Sequence, residues 1–111
     1  MTGILSGYEW LRMNTRRDDA SMDALFRAVL ALKNEDECSR FFDDLCTISE
    51  LQAMKQRFEV ALMLDKGQIY SEIAKETGAS TATISRVNKC LKYGADGYRT
   101  ALDRLKEAEE K

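Results

Sequence analysis

The chain reads as an all-α protein of about six helices that carries a helix-turn-helix. Three observations predict this. There is no proline, and only six glycines punctuate 111 residues, so little interrupts a helical run. Apolar residues recur three and four apart, and strand-like alternation is absent. Residues that cap helices precede the runs, and glycine follows several of them.

The elements follow in order. Residues 1–20 mix polar and charged types (NTRRDD) and are expected to form a flexible arm. Ser21 is placed to cap a first helix over about Met22 to Lys33. Asn34 and Glu37 form an N-cap and N3 pair for a second helix, to about Leu45. Thr47 and Glu50 repeat that signature for a longer third helix, to about Lys66, stopped by Gly67. A short fourth helix spans about Ser71 to Thr77 and ends at Gly78. Ser80 caps a fifth, to about Tyr93, ended by Gly94. Asp96 caps a sixth, on which Tyr98, Ala101, Leu102 and Leu105 form one apolar face. Residues 21–107 are thus expected to form one domain, followed by an acidic tail at 108–111.

The first helix breaks the amphipathic pattern. In ALFRAVLAL, Ala24 to Leu32, Arg27 is the one polar residue of nine. A helix apolar all round must be covered all round, and a short chain of short helices does not easily enclose one of its own. In the second helix, Cys38, Phe41, Phe42, Leu45 and Cys46 also cover a wide arc. A second copy of the chain covering these faces, as an interwoven homodimer, is the economical expectation. The alternatives are a crowded monomer core or a patch for a different protein.

Composition narrows the function classes. Hydrophobic content of 44% and charged content of 32% are ordinary for a folded soluble domain. No apolar run approaches the roughly 18 residues of a membrane span, and no secretory leader is visible. Three cysteines, Cys38, Cys46 and Cys90, with no CxxC and no histidine, point to a reducing cytoplasm and away from a metal site. No nucleophile–base pair and no glycine-rich phosphate loop is present, so an enzyme is not expected. The paired carboxylates Asp43 and Asp44 read as solvated helix surface.

Net charge is −2, but its distribution is uneven. Residues 1–65 hold 8 basic and 12 acidic side chains, whereas residues 66–106 hold 8 basic and 4 acidic. An acidic body with one basic segment is the footprint of a polyanion-binding face.

That basic segment contains YSEIAKETGASTATISRVNK, Tyr70 to Lys89. Ala74 is its fifth residue and Gly78 its ninth, with Ile73, Ala79, Ile84 and Val87 at the apolar positions of a helix-turn-helix. Ala74 keeps the two helices close, and Gly78 supplies a left-handed backbone in the turn. Ile84, Val87 and Leu91 anchor one side of the second helix, which leaves Ala82, Ser85, Arg86 and Lys89 outward. A recognition helix enters the major groove by its N-terminus. Small residues there let the backbone approach, and the hydroxyls of Thr81, Thr83 and Ser85 and the Ala82 methyl can meet base edges. Arg86, Lys89 and Lys92 lie where phosphates pass, and the helix start at Ser80 can receive a phosphate. Double-stranded DNA is the partner this pattern predicts. A protein-interaction module on the same scaffold, docking the transcription machinery, is the alternative.

ETGASTATISRVNKCLKYG, with FFDDLCTISE upstream and GADGY downstream, resembles the reading head of the Trp repressor superfamily. The likeness is greatest to its YerC/YecD-type TrpR-like regulators and covers about Met22 to Leu105. The resemblance implies an all-helical, intertwined homodimer with two heads facing successive major grooves, and a transcriptional regulator, a repressor by its namesake. It adds Tyr70 and Ser71 to the DNA-facing positions Ser80, Thr81, Ala82, Thr83 and Ser85. In the namesake, bound tryptophan props the heads apart, and Arg57 and Arg86 match the two arginines that sandwich its indole. Thr47 matches a residue that meets the ligand's amino group. Two departures argue against tryptophan here. Val87 stands where a glycine leaves room for the ring, and Cys90 replaces a hydroxyl with a weaker partner. Thr47, Arg57, Arg86, Val87 and Cys90 therefore mark a candidate effector pocket that is not expected to take tryptophan, with no obligatory cofactor. Ala74 replaces a lysine of the repressor, so a different operator is expected.

Overall fold

The computed structural model describes residues 19–110. Most of the expected N-terminal arm lies outside them. Six helices make up the chain within the described residues: α1 Ala20–Ala31, α2 Glu35–Leu45, α3 Ile48–Asp65, α4 Tyr70–Thr77, α5 Thr81–Tyr93 and α6 Gly97–Glu109. No strand occurs among the described residues. The chain divides after Ile48 into two compact units.

In the first unit, α1 starts earlier than expected. Asp19, not Ser21, is the N-cap, its carboxylate accepting from the Met22 amide at 3.0 Å. Both residue types cap well, and taking Asp19 extends the helix by two residues. The cap of α2 is the expected one, with Asn34 Oδ1 accepting from the Glu37 amide at 2.9 Å. Glu37 answers by accepting from the Lys33 amide at 2.8 Å, one residue upstream of the usual capping-box partner. Phe41 and Phe42 pack edge to face, their ring centres 5.6 Å apart. No residue of α1 or α2 is buried, and Leu30 is 83% exposed.

The second unit holds the core. Val60 and Ala61 of α3, Ile73 of α4, Ala79 of the turn, Ile84 and Val87 of α5 and Leu102 of α6 are buried together. Phe58, Leu62, Tyr70, Leu91 and Tyr98 pack around them. Helix α3 is the spine, and each later helix contributes one or two apolar residues to its C-terminal half. Of the face expected on α6, Leu102 is buried and Tyr98 half-buried, whereas Ala101 and Leu105 are exposed.

Ion pairs lock α6 to α3. Asp65 closes the last turn of α3 and meets Arg99 Nη2 and Lys106 Nζ, each at 2.8 Å. A carboxylate at a helix C-terminus opposes the helix dipole, so two cations arriving from α6 answer a local cost. The Lys106 hydrogen bond, then that of Arg99, hold the Asp65 carboxyl below its ordinary value of 3.8.

Asp96 precedes α6 as expected but does not cap it with its side chain. Its backbone is left-handed, at φ 64. A capping side chain reaches the first turn from an extended backbone. Here the Asp96 carbonyl alone meets the helix, accepting from the Thr100 amide at 2.9 Å. The first two residues of the expected acidic tail, Ala108 and Glu109, are helical, since α6 runs to Glu109.

Candidate nucleic-acid interface

The turn between α4 and α5 is held by short-range bonds. Gly78 ends α4 in a left-handed conformation, at φ 74, and its amide donates to the Ala74 carbonyl at 2.9 Å. Any other residue would bear the strain of that backbone. The Thr77 hydroxyl donates to the Ile73 carbonyl at 2.7 Å and accepts from the Ala79 amide at 3.1 Å. Ala79 is buried in the core. From α3, Gln56 Nε2 donates to the Thr77 carbonyl at 3.1 Å.

Ser80 then caps α5 as expected, accepting from the Thr83 amide at 3.1 Å. Its hydroxyl proton goes to Thr83 Oγ1 at 3.0 Å, so Thr83 can still donate its own. Ile84 and Val87 turn inward to the core, and Leu91 packs against it. The opposite side of α5 is open: Ser80, Thr81, Ala82, Ser85, Arg86, Lys89 and Lys92 are all exposed. Thr83 is half-buried beside the cap. On α4, Ser71 is exposed, whereas Tyr70 is half-buried and packs on the core. At the far end, Gly94 is required sterically, because a Cβ there would collide with the Cys90 carbonyl.

Charge sharpens this face. Arg99 and Lys106 are occupied by Asp65, and Arg99 also meets Asp103 at 3.1 Å. Arg86, Lys89 and Lys92 have no ion-pair partner among the described residues. Two of the three cations of α6, Arg99 and Lys106, are thus used internally, whereas Arg104 and all three cations of α5 have no ion-pair partner among the described residues. The open helix start adds a partial positive charge beside Ser80.

The expected effector residues differ in exposure. Val87 is 2% exposed and belongs to the core. Arg57, Arg86 and Cys90 are exposed, and Thr47 precedes α3 in the first unit. Tyr98 joins this neighbourhood. Burial raises its phenol above the ordinary value, Cys90 adds to that, and the positive fields of Arg57 and Arg86 oppose it. The expected apolar face of α6 included Tyr98, but nothing in the spacing linked it to residues on α3 and α5. Among the described residues, no cluster of histidine, cysteine, aspartate and glutamate could hold a metal ion. No helix among them is long and apolar enough to cross a membrane.

The sequence profile of the family described as Trp repressor protein matches residues 20–106. The chain is 61% identical over 88 residues to YerC of Bacillus subtilis, an uncharacterised protein, covering 79% of this chain and 85% of that one. Its structure superposes on a Trp repressor candidate from Staphylococcus aureus with a TM-score of 0.78 and 47% identity, over 92% of this chain and 96% of the other. A TrpR-like protein from Eubacterium eligens gives the same TM-score, with 51% identity over 83% of this chain and 95% of that one.

Proposed function

This chain belongs to the Trp repressor family, and on that premise we propose that it is a sequence-specific double-stranded DNA-binding regulator of transcription, a repressor. It works in the cytoplasm as a homodimer, and α4 and α5 of each protomer form a reading head. The observation that carries this reading is the exposed side of α5, where a small-residue tip precedes three cations that no described carboxylate neutralises.

Roles divide along the helix. Thr81, Ala82, Thr83 and Ser85 face base edges, with the Ser80 turn against a phosphate. Ser71 and Tyr70, at the start of α4, flank the same groove. Arg86, Lys89 and Lys92 meet phosphates and supply the salt-sensitive part of affinity. The homodimer is supported by the absence of buried residues on α1 and α2. With two heads related by a two-fold axis, half-sites fall about one helical turn apart. Regulation by tryptophan is not part of the proposal, because Val87 fills its own position with buried hydrocarbon.

In vitro selection of duplexes, run with and without tryptophan, tests the whole reading. The expected result is a palindromic site enriched equally in both conditions. Lys89→Ala should weaken every duplex alike and lower the salt slope by about one per protomer. Ser85→Ala should instead change preference at one position, by about 1–3 kcal/mol. Enrichment of no sequence at all would refute sequence-specific binding.

A further inference from the structure

The last carbonyls of a helix have no partner within it. At the end of α4, the Ile73 and Ala74 carbonyls are met locally, by the Thr77 hydroxyl and the Gly78 amide. The carbonyl of the last residue of the helix, Thr77, is met from outside the motif. Gln56 of α3 reaches it across 21 residues of sequence, at 3.1 Å.

Gln56 has a firm base. It lies one turn before Val60, which is fully buried, so both share a face of α3. The side chain crosses close over the turn, since a Cβ on Gly78 would stand 4.0 Å from its Nε2. It also forms part of a surface groove of about 460 Å³ with Gln52, Glu59, Glu76 and Thr77, so on this side the turn is bordered mainly by polar side chains, and its apolar anchor is Ala79 in the core.

The middle of α5 is fixed by Ile84 and Val87 in the core. Its tip, which begins at Ser80, hangs from the turn. We propose that Gln56 is a positioning residue of the reading head, a strut that ties the helix-turn-helix turn to α3 and thereby sets where the N-terminus of α5 points. The proposal rests on the DNA-binding reading for its consequence, though not for its geometry. A recognition site must hold its groups within about half an ångström, so a loosened turn lowers discrimination between sequences. It leaves the phosphate contacts of Lys89 and Lys92 as they were.

The test uses the full chain and two readouts. The first is amide hydrogen exchange, resolved by residue, in the wild type and in Gln56→Leu, which keeps the bulk and removes the donor. Exchange at Gly78 and Ala79 should accelerate about 2- to 10-fold, the worth of one hydrogen bond, with the amides of α6 unchanged. Gln56→Lys restores a donor of similar reach and should restore protection. The second readout is the ratio of affinities for a selected and a scrambled duplex. It should fall by a similar factor in Gln56→Leu at an unchanged salt slope. Turn amides that do not respond, or that speed up together with α6, would overturn the strut. If the wild type showed no preference among duplexes, the DNA-binding reading would fail by itself, and the exchange data would still decide the role of Gln56.

Discussion

The two units of the chain solve the burial problem in opposite ways. All seven residues buried among those described, from Val60 to Leu102, lie in the second. The first has two well-capped helices and, among the described residues, none that is buried, with Leu30 83% and Leu45 51% exposed. Local signals therefore suffice to form α1 and α2 but give them nothing to pack against completely. Exposed leucines on a largely apolar helix mark a surface that stays incomplete until something covers it. The second unit carries its own core, and with it the geometry of the reading head.

The strongest challenge to this contrast is a cavity in the core. Ile84→Ala should cost about 2–5 kcal/mol, at any protein concentration, as read by chemical denaturation. A loss under 1 kcal/mol would mean that the second unit does not depend on the core assigned to it.

Leu30→Ser asks the complementary question. If nothing covers α1, the change should fall within about 0.5 kcal/mol of neutral, as surface changes do. If a second copy covers it, each protomer loses about 1.5–3 kcal/mol of burial, and stability becomes concentration-dependent. Sedimentation of wild type and variant reads the outcome directly, and the dimer reading expects a shift toward monomer.

A smaller effect is expected at the caps. Ser80→Ala removes an acceptor from the first turn of α5 and should cost about 1 kcal/mol, seen as a lower midpoint in thermal unfolding. Since Ser80 also lies on the proposed interface, Ser80→Asp separates its two roles. It keeps the cap but places a negative charge at the DNA-facing tip, so stability should hold while duplex affinity drops.

How far the sequence foretold this structure depends on the range of each interaction. Asn34 and Ser80 cap as their spacing implied, and Gly78 takes the left-handed backbone that its place in the motif demanded. These are decided within four residues. Ile73, Ala79, Ile84 and Val87 face the core because their period gives them no other face. Ser21 was the expected cap of the first helix, and Asp19, a residue type that caps equally well, takes that place two residues earlier. Asp96 stood at the right place, but its backbone is left-handed and its side chain makes no cap hydrogen bond. The contacts that escaped notice are long-range and polar. Gln56 meets a carbonyl 21 residues away, and Arg99 a carboxylate 34 residues away. A polar residue on a helix leaves no periodic trace of the partner it will find in space. The proposed DNA-facing set is legible as a pattern of exposure and charge, whereas an operator is not, because base contacts would belong to a partner whose sequence this chain does not encode.

The smallest of the expected effects sharpens the comparison most, because each unit offers an ion pair of a different kind. Arg40 and Asp36 of α2 meet at 2.8 Å but are 71% and 74% exposed, one turn apart. Such pairs are worth a few tenths of a kcal/mol and fade with salt, so Asp36→Asn should barely move the unfolding midpoint. Asp65 is only 11% exposed and holds two cations from another helix, so Asp65→Asn should lower the midpoint more. The effect stays below that of the cap, because water screens both cations. Acid tells the two explanations of that loss apart. With its folded value depressed below 3.8, the Asp65 carboxyl binds a proton less readily in the native state than in the unfolded chain. Its stabilisation is therefore complete above about pH 5 and fades as the pH falls through the ordinary carboxylate value and below it. The gap in midpoint between wild type and Asp65→Asn should be constant from pH 7 to about 5 and narrow below about pH 4. A gap that stays constant down to pH 3 would mean that the variant loses packing, not charge, and that α6 is held in place by its apolar contacts, Leu102 and Tyr98.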